Sequence, residues 1–375
     1  MPNVSKVLVV GGGIGGLALS IGLRRAGIDV EIVEIKQQWT VYHVGIIAQS
    51  NLLRAMVGLG VADDCVAAGF PYQGVRFCDA NGNVISDSPG VKLAGPQYPA
   101  YLGLTRPALH HVLSAASKKA GVRFHLGVTV SELSESDSSV AVKFTDGSTR
   151  AYDLVVGADG VHSQIRTMIF GRYLTPKFTG EGVWRYNVPR PPDVDYGSIY
   201  ATREGPKAGL IPLTQETAYI FCIGPEPGNP RFPKNELAHI MRERLKPFGG
   251  AIGELACGIT DPALVVYRPL ESVLVPEPWY RGRVTLIGDA AHSITPHLGQ
   301  GAAQAVEDAV VLAEELEKDA PLEKSLDSFV RRRFERCQFI LQASLQIGEW
   351  EMHPDPQADV ASLMAKVAHT VVQPI

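Results

Sequence analysis

The 375-residue sequence predicts a two-lobed α/β fold, in which a nucleotide-binding lobe with a parallel sheet carries an inserted, mostly antiparallel β-sheet lobe and a C-terminal helix. Three observations predict it. Residues 6–34 have the pattern of strand, glycine turn, helix and strand. Residues 178–267 contain many prolines and short alternating apolar runs, which are typical of antiparallel strands. Residues 284–317 join an apolar run to an alanine-rich segment of strong helix propensity.

The first element is a glycine turn with the spacing of a dinucleotide-binding fingerprint. Gly11, Gly13 and Gly16 fit G-x-G-x-x-G directly after an apolar strand, Gly27 is placed to stop the helix, and Glu34 ends the second strand. Such glycines let a pyrophosphate approach the helix N-terminus, and the acid can accept hydrogen bonds from a ribose diol. A Rossmann-like site is therefore favoured over a chance turn, although the motif does not choose between NAD and FAD.

The middle of the chain adds two weaker signals. Residues 71–97 predict a hairpin with its turn at Asn81-Gly82. In the segment DLVVGADGVHSQIR, an apolar strand ends in a short acidic turn at Asp159-Gly160. Alone, that turn is equally typical of a plain connection.

The segment from 281 to 312 combines a strand, an exposed acid, an irregular turn and a helix. Asp289 follows the apolar run VTLIG, and Pro296, Gly299 and Gly301 make the next stretch irregular before the helix. Glycines at a helix start let an anionic ligand approach bare N–H groups at the positive end of the helix dipole. A structural connection in which Asp289 is only a cap is the alternative.

Together, the glycine turn with Glu34, the segment DLVVGADGVHSQIR and the segment from 281 to 312 resemble those of the FAD-dependent aromatic hydroxylases. These are single-component flavoprotein monooxygenases related to para-hydroxybenzoate hydroxylase. The resemblance extends from near residue 4 to about Ala343, and it includes the segment LTRPALHHVL. It implies that the cofactor FAD is held by a set of backbone and side-chain groups, namely Gly11, Gly13, Ile14, Gly15, Gly16, Glu34, Arg106, Asp159, Gly160, Gly288, Asp289, Gly299, Gln300 and Gly301.

Individual roles also follow from the resemblance. It implies that Asp289 holds the ribityl chain and that Pro296 shapes the face of the flavin that reacts with oxygen. Arg106 would contact FAD, whereas a surface arginine opening a helix is the alternative. Para-hydroxybenzoate hydroxylase has an arginine two residues before the glycine that matches Gly45, and this chain has His43 there. The role of that arginine is therefore not assigned to this chain.

The activity that the resemblance implies is aromatic hydroxylation, as in aromatic catabolism. NADH or NADPH would reduce FAD transiently, dioxygen would add to give a flavin C4a-hydroperoxide, and its distal oxygen would attack an electron-rich ring such as a hydroxybenzoate or hydroxypyridine. Epoxidation, Baeyer-Villiger oxidation and dehydrogenation are alternatives on the same fold. A further, non-enzymatic alternative is a flavin-binding sensor or interaction protein that has lost turnover.

The predicted substrate site lies between the lobes. Trp184 and Tyr186 share one strand face by the two-residue period, and Tyr200 and Tyr219 stand on later strands. With Pro296 they form the predicted substrate-binding set, although core packing is the commoner use of such aromatics. Tyr219 and Pro296 are the predicted catalytic residues, and the choice of Tyr219 follows the family's use of a tyrosine on this sheet. Two arginines, Arg185 and Arg203, are candidates to pair with a substrate carboxylate.

Composition excludes other classes of function. A net charge of -4 without basic and aromatic alternation predicts no nucleic-acid partner, and the lack of a long apolar run predicts no membrane span.

Met1 leads almost directly into a strand, so we expect a cytoplasmic protein, as a monomer or homodimer. Five scattered cysteines predict neither disulfides nor a metal site, and a metal role for His292 or His297 is not expected. Residues 331–334 (RRRF) are expected on a solvated helix face.

The order of these segments predicts a discontinuous nucleotide-binding domain, because other material separates its pieces. We assign residues 1–70, 98–177 and 268–345 to the FAD-binding domain. Residues 71–97 and 178–267 form the predicted substrate domain, and 346–375 form a C-terminal segment.

Overall fold

The computed structural model describes residues 4–202 and 205–375, so Arg203, a candidate partner of a substrate carboxylate, lies outside the described residues. The strands, numbered along the chain, are β1 (Lys6–Val10), β2 (Asp29–Glu34), β3 (Gly45–Gln49), β4 (Phe70–Tyr72), β5 (Gly74–Asp79), β6 (Val84–Pro89), β7 (Tyr101–Thr105), β8 (Arg123–Leu126), β9 (Val130–Glu135), β10 (Val140–Phe144), β11 (Thr149–Tyr152), β12 (Leu154–Gly157), β13 (Lys177–Pro189), β14 (Gly197–Ala201), β15 (Lys207–Pro212), β16 (Thr217–Pro225), β17 (Val266–Leu274), β18 (Tyr280–Arg281), β19 (Val284–Leu286) and β20 (His292–Ser293).

The helices are numbered in the same way. They are α1 (Ile14–Arg25), α2 (Ser50–Leu59), α3 (Ala62–Ala67), α4 (Arg106–Lys119), α5 (Gln164–Phe170), α6 (Leu237–Leu245), α7 (Gly250–Ala256), α8 (Gly301–Glu317), α9 (Leu322–Met352) and α10 (Val360–Val372). Each helix that the structure describes is too short or too polar to cross a membrane.

The nucleotide-binding lobe is built on a six-stranded sheet in the order β18-β19-β12-β1-β2-β8. All its pairs are parallel except β18 with β19. The residues of β1 from Val7 to Val10 are buried, as a strand with both faces covered requires, and α1 packs against α4 and α8. This is the predicted Rossmann-like architecture. Gly27 ends the first helix as predicted, because its φ of 79° is a left-handed conformation that glycine adopts freely.

The second lobe is built on an eight-stranded sheet in the order β20-β17-β13-β16-β15-β14-β5-β6. Its pairs are antiparallel except β14 with β5. The predicted hairpin is β5 and β6, with Gly82 at a φ of 91° in the turn. Two smaller antiparallel sheets, β3-β7-β4 and β11-β10-β9, complete the strands that we describe.

The two faces of the eight-stranded sheet have different neighbours. One face packs beneath α6 and α7, whose buried residues include Ala238, Met241 and Ile252. The other face packs with residues of β3, β4 and β7, including Ile47 and Tyr101. The prediction of strands alone between 178 and 267 is wrong for these two helices. Ala238, Met241 and Leu245 in α6 recur at the three- and four-residue spacing of a helix face.

The long C-terminal helix α9 confirms the predicted packing helix, but one of its arginines is not on the surface. Arg333 is fully buried and donates hydrogen bonds to Asp308 (2.8 Å) and Glu307 (2.8 Å) of α8. The expectation of a solvated face is therefore wrong for Arg333. A buried cation needs charged partners to offset the loss of hydration, and these two carboxylates supply them.

Candidate active site

The glycine turn after β1 has the shape that a bound pyrophosphate requires. Gly11 has a φ of 108°, and a Cβ there would lie 2.4 Å from the carbonyl oxygen of Ala158. A Cβ at Gly16 would lie 2.1 Å from the carbonyl oxygen of Gly11. Gly13, by contrast, faces open space, with no heavy atom within 4 Å of a built Cβ. The two clashes explain why this turn needs glycine, and the open space at Gly13 leaves its backbone accessible to a ligand.

Glu34 is tied to the same turn. The N–H of Gly12 donates to Glu34 Oε2 (3.0 Å), and the N–H of Lys36 donates to Oε1 (3.1 Å). A carboxylate offers about four lone-pair sites, so capacity remains for a ribose diol. Ile14 begins α1, whereas Gly15 faces Ala305 of α8 at a contact distance of 3.5 Å and serves the helix packing.

The acidic turn at Asp159 lies beside the glycine turn. Asp159 accepts hydrogen bonds from Ser163 Oγ (2.5 Å) and from the N–H groups of Gln164 (2.8 Å) and Ile165 (3.1 Å), and it thereby caps α5. Burial raises the pKa of Asp159, and these donors oppose the shift. Gly160 has a φ of 81° and faces open space. A ligand can therefore reach the backbone of Gly160 more easily than the carboxylate of Asp159.

Arg166 joins the Asp159 turn to the Asp289 turn, and no role for it was predicted from the sequence. Its guanidinium donates to the carbonyl oxygens of Ala290 (3.0 Å), Val161 (2.7 Å) and Leu174 (2.9 Å). The side chain is almost fully buried. Sequence spacing offers no signal for such a bridge, because its acceptors are backbone groups from separate loops.

The Asp289 turn presents a carboxylate to the space bordered by Arg106, Asp289 and Tyr219, which we call the cleft. Gly288 has a φ of 57°, and its N–H donates to Asp308 Oδ2 (2.9 Å). The side chain of Asp289 is exposed on the cleft, although protein surrounds it on several sides. Loss of hydration to the neighbouring protein raises the pKa of Asp289 even though its side chain is exposed, and His292 and Arg106 oppose the shift. A ligand with hydroxyl groups can therefore reach this carboxylate.

The turn before α8 directs backbone groups toward a ligand. Gly299 has a φ of 64°, and Gly301 begins the helix. The side chain of Gln300 is buried, donating from Nε2 to Gln49 Oε1 (2.7 Å) and accepting from Asn51 Nδ2 (3.0 Å). Because its side chain holds the turn from behind, Gln300 can offer a ligand only its backbone. The first N–H groups of α8 lack intrahelical acceptors and carry the positive end of its dipole. This arrangement fits an anionic group.

Two arginines and a tyrosine border the cleft. Arg185 and Tyr219 lie on the sheet face that packs with β3 and β7, and Tyr219 covers Gly45, where a Cβ would lie 2.2 Å from its ring. Burial, with a smaller contribution from Arg106, lowers the pKa of Arg185 to about 10. Burial also lowers the pKa of Arg106, which Tyr219 and Asp289 oppose. Neither guanidinium has a hydrogen bond or ion pair to any residue within 4–202 or 205–375.

Comparison with known proteins identifies the family. The family model described as "FAD binding domain" matches residues 4–344. The chain belongs to the FAD-dependent aromatic hydroxylases. It is therefore an FAD-dependent monooxygenase of that family. The glycine turn, the Asp289 turn and the start of α8, which are the parts that fit FAD, all lie within the matched residues.

Relatives of this hydroxylase cover nearly its whole length. Aurachin C monooxygenase/isomerase of Stigmatella aurantiaca is 32% identical over 363 residues, with 92% of this chain and 90% of that protein covered. The 2-heptyl-3-hydroxy-4(1H)-quinolone synthase of Pseudomonas aeruginosa is 33% identical over 358 residues, with 92% and 90% covered. The crystal structure of Klebsiella pneumoniae HpxO with FAD and uric acid has a TM-score of 0.85 at 24% identity, covers 99% of this chain and 93% of that one, and shows the shared fold.

Three of the predicted substrate-binding aromatics do not border the cleft of this hydroxylase. Trp184, Tyr186 and Tyr200 lie on the opposite sheet face, packed with α6 and α7. Trp184 donates from Nε1 to Glu226 Oε1 (2.9 Å) and packs against Tyr267 with the two rings tilted by 37°. The period of two placed Trp184 and Tyr186 on one face correctly, but that face is covered by helices. Tyr219, by contrast, lies on the sheet face that borders the cleft, and Pro296 lies in the turn before α8.

His43 has a structural contact where a relative has arginine. Its Nε2 lies 2.9 Å from the carbonyl oxygen of Leu264, and its own carbonyl oxygen accepts from Asn187 Nδ2 (3.0 Å). Both partners belong to the second lobe or its edge. His43 therefore joins the loop after β2 to the eight-stranded sheet.

The covered face gives a prediction that separates packing from catalysis. Trp184→Phe removes the buried hydrogen bond to Glu226 and is expected to lower the free energy of unfolding by about 2 kcal/mol. Because Trp184 lies behind the sheet, substrate-dependent turnover is expected to stay within twofold of the wild type. Urea denaturation measures the free energy of unfolding, and steady-state kinetics measures the turnover. A loss of turnover with unchanged stability would show that Trp184 acts in the cleft.

Proposed function

We propose that this enzyme uses NADH or NADPH and dioxygen to hydroxylate a small, electron-rich aromatic or heteroaromatic ring that carries an acidic oxygen or a carboxylate. The observation that supports the acidic substrate is Arg185, which borders the cleft and has no ion pair or side-chain hydrogen bond to any described residue, with a second cation, Arg106, nearby. We place the reaction in the cytoplasm, where both reductants are available, and propose a monomer or homodimer.

The cofactor-side residues position FAD and set its electrostatics. FAD, when bound, supplies the redox chemistry and the activation of oxygen. Asp289 would accept hydrogen bonds from ribityl hydroxyls, and Pro296 would shape the face next to the substrate. The N–H groups at Gly299–Gly301 would stabilise negative charge on the reduced ring system, and a favourable helix terminus contributes up to about 2 kcal/mol.

The substrate-side residues select an anion and hold it over the cofactor. Arg185 would pair with the acidic oxygen or carboxylate, and a planar guanidinium can bind either group in two-point fashion. Arg106, which lies near Asp289, would contact FAD and add positive charge to the same cleft. Burial raises the pKa of Tyr219, which the two arginines oppose. Tyr219 therefore keeps its proton at neutral pH and would donate a hydrogen bond to an oxygen of the ring.

The named relatives favour a nitrogen heterocycle among such substrates. Two relatives at 32–33% identity are named for aurachin C and for a 3-hydroxy-4(1H)-quinolone. Other relatives, 27–29% identical, are urate hydroxylases. Quinolones and urate share a planar ring with an ionisable or strongly polarised oxygen. A ring of that kind suits both the two arginines and the aromatic side chains of Tyr219 and Phe221, which share the sheet face of Arg185.

The role of Tyr219 gives a kinetic prediction. Tyr219→Phe removes one hydrogen bond to a charged oxygen, worth about 2 kcal/mol, and should slow hydroxylation about 30-fold. Reduction of the flavin by NAD(P)H is expected to change much less. Rapid-mixing kinetics measures the two steps separately, and equal slowing of both would contradict the assignment.

A substrate panel tests the proposed function as a whole. Hydroxypyridines and hydroxyquinolines would each be compared with their neutral methyl ethers, and hydroxybenzoates with the methyl ethers of their methyl esters, which are also neutral. The acidic members are expected to stimulate NADH or NADPH oxidation at least tenfold more than their ethers, with hydroxylated products seen by mass spectrometry. Equal stimulation by acids and ethers would overturn the anionic substrate, and the ratio of the two reductants would identify the one used.

A further inference from the structure

A second cluster of functional groups lies behind the turn that begins with Pro296. It consists of Glu181 of β13, His297 of that turn and Glu351 near the end of α9, and we call it the His297 cluster. The imidazole of His297 is fully buried and the side chain of Glu181 almost so, whereas Glu351 is partly exposed. Its three members come from distant parts of the sequence, and none of them belongs to the flavin-side set above.

The hydrogen-bond network determines which nitrogen of His297 carries a proton. Ser344 Oγ donates its hydrogen to the carbonyl oxygen of Thr295 (2.7 Å), so it must accept from Thr295 Oγ1 (2.9 Å). Thr295 Oγ1 can then only accept from His297 Nδ1, which lies 3.1 Å away. The proton of neutral His297 is therefore on Nδ1, and the lone pair of Nε2 faces the two carboxylates.

The free atoms of the cluster converge without bonding to one another. His297 Nε2 lies 3.1 Å from Glu181 Oε2 and 3.6 Å from Glu351 Oε2. Even so, His297 Nε2 and Glu351 Oε2 are buried without a hydrogen-bond partner in the part of the chain that the structure describes. The other oxygen of Glu351 is engaged by Lys207 Nζ (2.6 Å). A lone pair facing two carboxylates is repulsive unless a cation stands between them.

These separations are close to the spacing of ligands around a small metal ion. Tetrahedral zinc with nitrogen and carboxylate ligands has bonds of about 2.0–2.2 Å, which places neighbouring ligand atoms about 3.3–3.6 Å apart. The separation of 3.6 Å falls within this range, that of 3.1 Å lies just below it, and all three atoms lie within 4.8 Å of one another. A single proton on Nε2 could satisfy only one of the two carboxylates. One divalent ion would satisfy all three atoms at once.

We propose that Glu181, His297 and Glu351 bind a divalent transition-metal ion such as Zn²⁺. Thr295 is a positioning residue, because its contact with Nδ1 orients the ring as the outer partners of metal-bound histidines do. The cluster borders an open cavity of about 540 Å³, also lined by Gln346 and Glu349, which provides an entry path and room for a water as fourth ligand. The ion would join the turn after Pro296 to β13 and α9.

Two features of the chain make room for this ion. β13 changes register with β17 between Phe178 and Gly182, and such an irregularity can redirect a side chain, here Glu181. Gly348 of α9 faces the cluster, where a Cβ would lie 2.8 Å from Glu181 Oε2 and 3.0 Å from His297 Nε2. Glycine in a helix interior costs up to about 1 kcal/mol relative to alanine, so its presence here is explained by the space it leaves.

Metal titration of the FAD-loaded full chain tests the site. After dialysis against a chelator, Co²⁺ is expected to bind once per chain with the intense visible absorption of four-coordinate cobalt, and Zn²⁺ should displace it. Glu181→Gln and His297→Gln are expected to abolish stoichiometric binding. Glu349→Gln, which changes an acid of the same cavity outside the cluster, should retain it. Thr295→Val is expected to weaken binding about 10- to 100-fold.

The flavin absorbance of each variant reports folding independently of metal binding. Failure of the wild-type holoenzyme to bind Co²⁺ or Zn²⁺ would overturn the proposal and leave a proton as the cation of the cluster. Equal losses in Glu181→Gln and Glu349→Gln would also overturn it, because binding would then come from general negative charge. Neither result depends on which aromatic substrate the enzyme uses.

Discussion

Replacing Asp289 by alanine is expected to weaken FAD binding about 150-fold while the fold is retained. The carboxylate is exposed on the cleft, and the turn around it is held from behind by Asp308 and Arg166. Loss of hydrogen bonds from ribityl hydroxyls to a charged acceptor costs about 3 kcal/mol, and 1.4 kcal/mol is tenfold in affinity. The measurement is the flavin content after gel filtration, followed by titration of the apoprotein with FAD.

Asp319→Ala is the matched control, because Asp319 is exposed between α8 and α9 and far along the chain from the cleft. It should keep the flavin of the wild type. Asp289→Asn separates hydrogen bonding from charge, and we expect it to retain more flavin than the alanine variant. Full flavin retention by Asp289→Ala would contradict the role given to this carboxylate.

Replacing Arg185 by methionine is expected to lower kcat/KM for acidic substrates about 150-fold. Loss of one partner from a buried charge pair costs about 3 kcal/mol, and methionine keeps much of the side-chain volume. FAD content and flavin reduction without substrate should be unchanged, because the predicted role of Arg185 is in substrate binding. The ratio of kcat/KM for an acid and its methyl ether is the measurement that isolates the charge.

The pH dependence gives a second readout on Arg185. Burial and the neighbouring Arg106 lower its pKa to about 10, so the side chain is charged at neutral pH and loses its proton as the pH rises through about 10. The advantage of the wild type over Arg185→Met should therefore narrow above that pH. Arg185→Lys should recover part of the activity, and Arg231→Met, at an exposed position, should have none of these effects. A methionine variant that still prefers acids over ethers would contradict the assignment.

The cofactor side of the molecule was predictable because its determinants are local in sequence. Gly11, Gly16 and Gly27 are required by backbone conformation or close approach, and such needs recur at fixed spacing. The same holds for Asp289, which follows a short buried strand, and for Gly299, whose left-handed backbone precedes α8. Local sequence patterns therefore located the turns, including the turn at Gln300, whose expected contribution is its backbone N–H.

The substrate side was less predictable because it depends on which sheet face is covered. The two-residue period groups Trp184 with Tyr186 and separates both from Arg185, but it does not say which group faces the cleft. Helix α6, which was not predicted, determines which face borders the cleft, because its apolar residues cover the face that carries Trp184. Had the helical spacing of Ala238, Met241 and Leu245 been noticed, the cleft face could have been assigned to Arg185 and Tyr219.

Contacts between distant segments were not predictable from sequence at all. Arg333 looked like part of a basic surface cluster, yet it is buried against Asp308 and Glu307. His297 lies in a glycine-rich segment that FAD binding accounts for, and the sequence predicts no metal role for it. Only the fold brings Glu181 and Glu351 to it, because neither lies at a recognisable ligand spacing from His297 in the chain.

Incorporation of labelled oxygen tests the central claim, that this cleft holds a flavin and an acidic ring for hydroxylation. The wild-type enzyme would be supplied with FAD, the preferred reductant, an active acidic substrate and ¹⁸O₂, and the product examined by mass spectrometry. We expect one labelled oxygen atom in the product ring and the other in water. A product oxidised without any label would show dehydrogenation, and label inserted into a carbon–carbon bond of the ring would show a Baeyer-Villiger reaction; either result would contradict the account.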